Sequence, residues 1–343
     1  MQRLYIIILL SLVSIFALAC CHNGGDNPNP PDNDTSKFAK GADMSWLTEM
    51  ESNHILFYDE NGKETECIAL LKSLGMNSVR LRVWVNPADG WCNKTDVLVK
   101  AKRAQDLDMR IMIDFHYSDT WADPGKQTKP AAWAGLSFSE LCSAVSAHTT
   151  EILTALKDWN ITPDWVQVGN ETGNGMLWDD GKASLNMAQY AALSNAGYNA
   201  VKAVFPETKV IVHLQGGQDN GLYRWLFDGL KQNNGKWDVI GMSLYPATDS
   251  WQATNDACIN NINDMINRYG SEVMICEVGM PWNEAVTAKS FLTDLITRTK
   301  AISNEKCLGV FYWEPEAYNG WKGYSLGAFD NSGKPTVALD AFK

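Results

Sequence analysis

The sequence is short of basic charge and of paired cysteines, and after its first eighteen residues it has no long apolar run. Forty acidic residues against 29 basic ones give a formal charge of −11. That balance argues against nucleic acid or an anionic membrane surface as a partner. Two of the eight cysteines are adjacent near the N-terminus. The other six, at 67, 92, 142, 258, 276 and 307, never approach the C-x-x-C spacing of a structural metal site. Their spacing fixes no disulfide connectivity, and isolated buried thiols are the simpler expectation. No Gly-x-Gly-x-x-Gly follows the first strand-like segment, which counts against a dinucleotide-binding open sheet.

The one long apolar run, Leu4 to Leu18, is too short and wrongly flanked for a spanning helix. With Arg3 before it and small residues after it, residues 1–19 read as a secretory signal. The ending ALACC resembles a bacterial lipobox, whose thiol carries lipid. Cys20 fits best because Ala19 precedes it, Cys21 is the competitor, and a plain cleaved signal is the simpler alternative. After the lipid-attachment position, residues 22–36 (HNGGDNPNPPDNDTS) hold no large apolar side chain. Residues 20–36 are therefore expected to be an attachment point and flexible tether, leaving one domain over 37–343.

Within that domain, short apolar runs rich in β-branched residues begin near Phe38, Asn77, Arg110, Trp165, Lys209, Val239, Glu272 and Cys307. The gaps leave room for a crossover helix each, and several carry helical patterns. Ser137 and Glu140 have capping-box spacing ahead of an amphipathic run to Trp159. Leu185–Phe205 and Phe291–Ile302 read as two more helices. Strand then helix, eight times over, predicts a single-domain (β/α)8 barrel, with a doubly wound open sheet as the rival.

A barrel of this kind carries its chemistry at the C-terminal ends of its strands. Here those ends offer Asp43, Arg80, Arg82, Asp114, His116, Asn170, Glu171, His213, Gln215, Tyr245, Glu277, Trp313 and Glu314. Polar ends on all eight strands point to a site rather than to one structural network. Glu171 and Glu277 end strands 4 and 7, which face each other across the mouth. Paired carboxyls flanking one bond are what glycoside hydrolysis needs, one protonated and one ionised. Fourteen tryptophans supply flat faces suited to sugar rings.

The Gly-Asn-Glu ending strand 4, with a second glutamate ending strand 7, resembles the clan A glycoside hydrolases. Three segments are similar to the endo-β-1,4-galactanases of glycoside hydrolase family 53: VRLRVWVNPADGW from Val79, DFHYSDTWADPGKQTKPAAW from Asp114, and LGVFYWEP from Leu308. The resemblance runs over essentially the whole domain. It implies a retaining, endo-acting enzyme on the β-1,4-galactan of type I arabinogalactan and pectin, with Glu171 as acid/base and Glu277 as nucleophile. It further implies that Asn170 holds the sugar 2-hydroxyl and that Arg80 keeps Glu277 ionised, with Tyr245 as a second partner. His116, Trp121 and Asp123 are expected to line the sugar site, and Trp84, Trp282 and Trp313 to stack on sugar. His213 is a further candidate contact, balanced by a purely structural role, and Trp84 is balanced by core packing.

The chain departs from the family pattern at ETGNG after strand 4, where bulkier or charged residues are usual, and at Gln215, where an acid is common. It also lacks the long insertion after strand 7 that binds calcium in some bacterial members, so neither metal nor cofactor is expected. Another clan A polysaccharidase, a β-mannanase or cellulase, is the nearest alternative activity; a non-catalytic glycan-binding lipoprotein is the alternative of another class. The expected setting is a monomer on the outer membrane of a Gram-negative cell, facing outward and touching the membrane only through its lipid.

Overall fold

The computed structural model describes residues 37–343. The signal, lipid-attachment and tether assignments all fall on residues outside it. Eight parallel strands close a barrel in sequence order. They are β1 (Ala39–Asp43), β2 (Ser78–Val83), β3 (Arg110–Phe115), β4 (Trp165–Val168), β5 (Lys209–Leu214), β6 (Val239–Leu244), β7 (Glu272–Val278) and β8 (Cys307–Trp313). The outer ring contains α1 (Leu47–Ser52) and α2 (Cys67–Ser73), both between β1 and β2. It continues with α3 (Lys94–Asp106), α4 (Phe138–Asp158), α5 (Met187–Val204), α6 (Asn220–Gln232), α7 (Trp251–Tyr269) and α8 (Ala285–Lys300). The (β/α)8 expectation holds, and the open sheet is excluded by closure between β8 and β1.

Local chemistry explains the element ends. The Ser137–Glu140 capping box forms in full at the start of α4. Helix α8 begins six residues earlier than expected. Its first turn, from Ala285, carries an exposed Val286 and no apolar stripe, so the periodicity shows only from Phe291 onward. All six described cysteines are free, five of them buried.

Two apolar layers hold the barrel. One lies between strands and helices. The other plugs the interior at its lower end with Met112, Trp165, Ile211, Val239, Met274, Cys276 and Phe311. Phe311 needs a hole opposite it: a Cβ on Gly41 would stand 2.2 Å from its ring. Above this plug the inward positions turn polar. The barrel therefore changes from a packed core to a charged network within one or two residues of each strand.

Candidate active site

Arg80, on β2, is 1% exposed and sits in the middle of that network. It donates to Asp43 on β1 at 2.6 Å, Asp114 on β3 at 2.9 Å and Glu277 on β7 at 2.9 Å. It also reaches Gln167 on β4 at 2.6 Å and Asn170 just beyond β4 at 2.9 Å. A buried guanidinium needs this many acceptors, because each unpaired N–H in a dry interior would cost about 1–3 kcal/mol. Arg80 thus lies below the cleft floor and not on its surface.

Glu277 reaches the interior by an irregularity. The β6–β7 pairing shifts register so that Met242 faces Ile275 while Ser243 faces Glu277, leaving Cys276 as the extra residue. Cys276 already points into the barrel plug. Strict alternation would then send Glu277 outward, and the bulge turns it inward instead. There it accepts from Arg80 and, at 2.9 Å, from the Tyr245 hydroxyl.

Glu171 is not placed by its strand either. Strand β4 ends at Val168, and the chain then makes a turn with Gly169 at φ +90° and Glu171 at φ +47°. A Cβ on Gly169 would lie 2.5 Å from Thr172 Cγ2, so the turn requires glycine there. The left-handed Glu171 is held by its neighbours: Thr172 N donates to the His213 carbonyl at 2.8 Å, and Gln127 Nε2 donates to the Asn170 carbonyl at 2.8 Å. This corrects the expectation that the strand itself aims Glu171 at the mouth.

The two carboxyls titrate together. Burial pushes Glu277 upward, to about 8, with Arg80 opposing and Glu171 adding to the rise. Burial also raises Glu171, against a lowering hydrogen bond from Ser243. So coupled a pair holds one proton well above the ordinary carboxylate range. Contacts decide where that proton resides. Glu277 has a guanidinium and a phenol donating to it, whereas the Glu171 carboxyl has no ion pair among the described residues. The anion therefore belongs to Glu277 and the proton to Glu171.

His116 is locked as a neutral ring. Its Nδ1 accepts from Ala122 N at 3.0 Å, so its proton sits on Nε2, which donates to Asp114 at 3.0 Å. Burial lowers its pKa despite that carboxylate. Asp114 therefore fixes the orientation of His116.

Above these groups opens a cleft of about 550 Å³. His116, Trp121, Asp123, Asn170, Glu171, Tyr245, Glu277 and Trp313 line it, together with Trp46, Tyr324, Leu326 and Lys322. The last four were not anticipated. Trp46 lies three residues past the end of β1, at the start of α1, and Tyr324 comes from the loop after β8; neither loop carries a periodic signal. Trp46 and Trp313 meet edge to face at 5.1 Å, Trp46 and Trp121 at 5.7 Å, and Trp313 and Tyr324 at 4.8 Å. Beneath them Arg82 lies 4.1 Å from the Trp121 ring centre and bonds Glu314 at 3.2 Å. Glu314 is fully buried, also accepts from Trp46 N at 3.0 Å, and takes no place in the cleft wall.

Three expected sugar contacts lie elsewhere. Trp84 is 7% exposed and packs its edge on Trp121 at 5.2 Å, so the core-packing alternative describes it. Trp282 sits in a short turn after β7, its N–H on the Ser325 carbonyl at 3.0 Å, outside the cleft lining. His213 is fully buried below the floor and bonds only protein groups.

The profile of glycosyl hydrolase family 53 matches residues 39–342. An arabinogalactan endo-β-1,4-galactanase of Cellvibrio japonicus is 34% identical over 82% of this chain and 81% of its own length. An endo-β-1,4-galactanase of Bacillus subtilis is 30% identical over 81% and 70%. Among solved structures, the GH53 catalytic domain of Ignisphaera aggregans superposes with a TM-score of 0.82 at 32% identity, covering 92% of this chain and 98% of that one. A fungal β-1,4-galactanase also gives 0.82, at 29% identity, over 88% and 98%.

Proposed function

The chain belongs to glycosyl hydrolase family 53, and we propose that it is an endo-acting β-1,4-galactanase working by double displacement on galactan, as in type I arabinogalactan and pectic side chains. The observation that carries this reading is the unequal pair of carboxyls on one aromatic cleft. Glu277, ion-paired to Arg80, is the nucleophile. Its carboxylate attacks the anomeric carbon while Glu171 gives its proton to the departing glycosidic oxygen. In the second step Glu171, now ionised, takes a proton from water, and that water displaces Glu277 from the sugar.

Asn170 fits the contact to the 2-hydroxyl. Its Oδ1 accepts from Arg80, and one amide hydrogen goes to the Ala122 carbonyl at 2.9 Å, which leaves a second N–H for the sugar. Trp46, Trp121, Trp313 and Tyr324 supply the apolar surfaces against which galactose faces pack.

The test is release of reducing ends from galactan, with mannan and cellulose as competitors, and proton NMR of the first-formed anomer. Activity on mannan or cellulose alone supports the alternative polysaccharidases, and binding without cleavage supports the glycan-binding alternative. An inverted first product would refute double displacement. We also propose lipid anchoring through Cys20, with Cys21 as the alternative, and display on the cell surface. Loss of fatty-acid labelling in Cys20→Ala, and protease access on intact cells, test those two statements.

A further inference from the structure

We propose that Gln127 is a positioning residue for Glu171, which it aims by holding one edge of the peptide group that joins Asn170 to Glu171; this rests on Glu171 being the acid/base. Gln127 lies in the loop after β3, beyond the cleft residue Asp123, and is 2% exposed. Its Nε2 donates to the Asn170 carbonyl at 2.8 Å and to the Asp123 carbonyl at 3.2 Å. Two carbonyl oxygens facing one end of an amide fix which end is nitrogen, and they take both of its hydrogens. The other end takes no part: Oε1 is buried with no donor among the described residues. The backbone of Gln127 is held as well, its carbonyl accepting from Trp178 N in the loop after β4 at 2.8 Å.

The Asn170–Glu171 peptide is planar, so its C=O and its N–H turn together. Gln127 holds the C=O, and the N–H meets His213 Nδ1 on β5 at 3.4 Å. The plane is thus gripped at both edges, from the β3 side and from the β5 side, and Glu171 sits at φ +47°. A left-handed φ is costly for a residue with a Cβ and persists only where neighbours enforce it. The hold from β5 is the longer and weaker of the two. The bond from Thr172 N to the His213 carbonyl fixes the next peptide, not this one. Without Gln127 the peptide can turn back towards negative φ and carry the Glu171 carboxyl away from the bond it protonates.

The Asn170 side chain is fixed separately. Its Oδ1 accepts from Arg80 at 2.9 Å and its Nδ2 donates to the Ala122 carbonyl at 2.9 Å, neither through Gln127. Glu277 likewise keeps Arg80 and Tyr245. Loss of the Gln127 amide therefore strikes proton transfer by Glu171 and spares the nucleophile and the 2-hydroxyl contact. A glutamine that only held the fold together would not divide the chemistry in this way.

Gln127→Met keeps the length of the side chain and removes both donated hydrogens. On galactan, whose leaving group needs a proton, kcat/KM should fall about a hundredfold, the scale of a misplaced general acid. On an aryl galactobioside with a strongly acidic phenol as leaving group, kcat/KM should hardly change, because that bond breaks without acid help. The kcat for the same aryl substrate should fall, since water in the second step needs Glu171 as base. Azide needs no base, so it should restore turnover by bonding to the anomeric carbon and releasing Glu277 as the carboxylate. In the native enzyme, nitrogen-15 spectra should show both Gln127 amide hydrogens protected from solvent exchange. Equal losses on the two substrates, or none, in folded Gln127→Met overturn the proposal, as do freely exchanging amide hydrogens in the native enzyme. Native enzyme inactive on galactan, or a Glu171→Gln variant without the same split between substrates, would instead fail the functional assignment, a distinguishable result.

Discussion

Tyr245→Phe isolates the electrostatics of the nucleophile without disturbing its packing. The hydroxyl donates to Glu277 at 2.9 Å, while the ring lines the cleft and is 39% exposed. Burial and then Glu277 raise the phenol's own pKa far out of range, so it is a constant donor. A hydrogen bond to a charged group is worth about 1.5–3 kcal/mol, and cleft water can replace part of it, so we take about 1.4 kcal/mol. That is about one pKa unit. Losing a donor disfavours the anion, so the pKa of Glu277 rises and less nucleophile is present at any acidic pH. The acid limb of kcat/KM should therefore move up by about one unit, costing roughly tenfold in rate on that limb and less on the plateau. Initial rates of reducing-end release from about pH 4 to about pH 9 measure this. Thermal melting should shift by no more than about 2–4 °C. An acid limb that does not move, in a variant that melts normally, would show that Tyr245 does not stabilise the charged form.

The remaining predictions are more direct. Glu277→Gln should abolish turnover while galactan binding, measured by calorimetry, persists; Glu171→Gln should slow natural galactan far more than an activated aryl galactoside. Parental rates in either variant would refute the assignment. Gly169→Ala forces a Cβ to 2.5 Å from Thr172 at φ +90° and should cost more than about 1–2 kcal/mol of stability by denaturant titration, with activity lost through the Glu171 turn. Burial lowers the pKa of His148 to about 4, while the unfolded chain takes up that proton near 6.5. Its contribution to stability is whole above pH 6.5 and declines as the pH falls towards 4, by up to about 3 kcal/mol. His148→Phe, which gives up no partner at the unbonded Nε2, should flatten the fall in melting temperature over that window.

The eight strands were legible because parallel strands buried on both faces read as continuous apolar runs. Each stretch marked in the sequence contains the strand observed. The polar strand ends were legible for the same reason: a charge at the end of such a run has nowhere to face but the barrel mouth or a partner. What escaped was whatever depends on irregular backbone. Alternation could not place Glu277 inward, because the extra residue at Cys276 does that, nor Glu171, because a left-handed turn does. Trp46 and Tyr324 lie in loops without period, as does Trp282. Trp84 and His213 were visible as residues of the right chemistry, but depth below the floor is a tertiary quantity.

Arg80 has a consequence for how the chain is made. It leaves the ribosome on the second strand, yet one of its three carboxylate partners belongs to the seventh. Until β7 docks, a nascent barrel holds this cation short of one anion in a half-formed interior. Closure of the sheet and completion of the ion-pair cluster are then a single late event. Truncated or stalled chains lacking β7 should stay open to chaperones and proteases, and a folded chain should arrive with its catalytic charges already set.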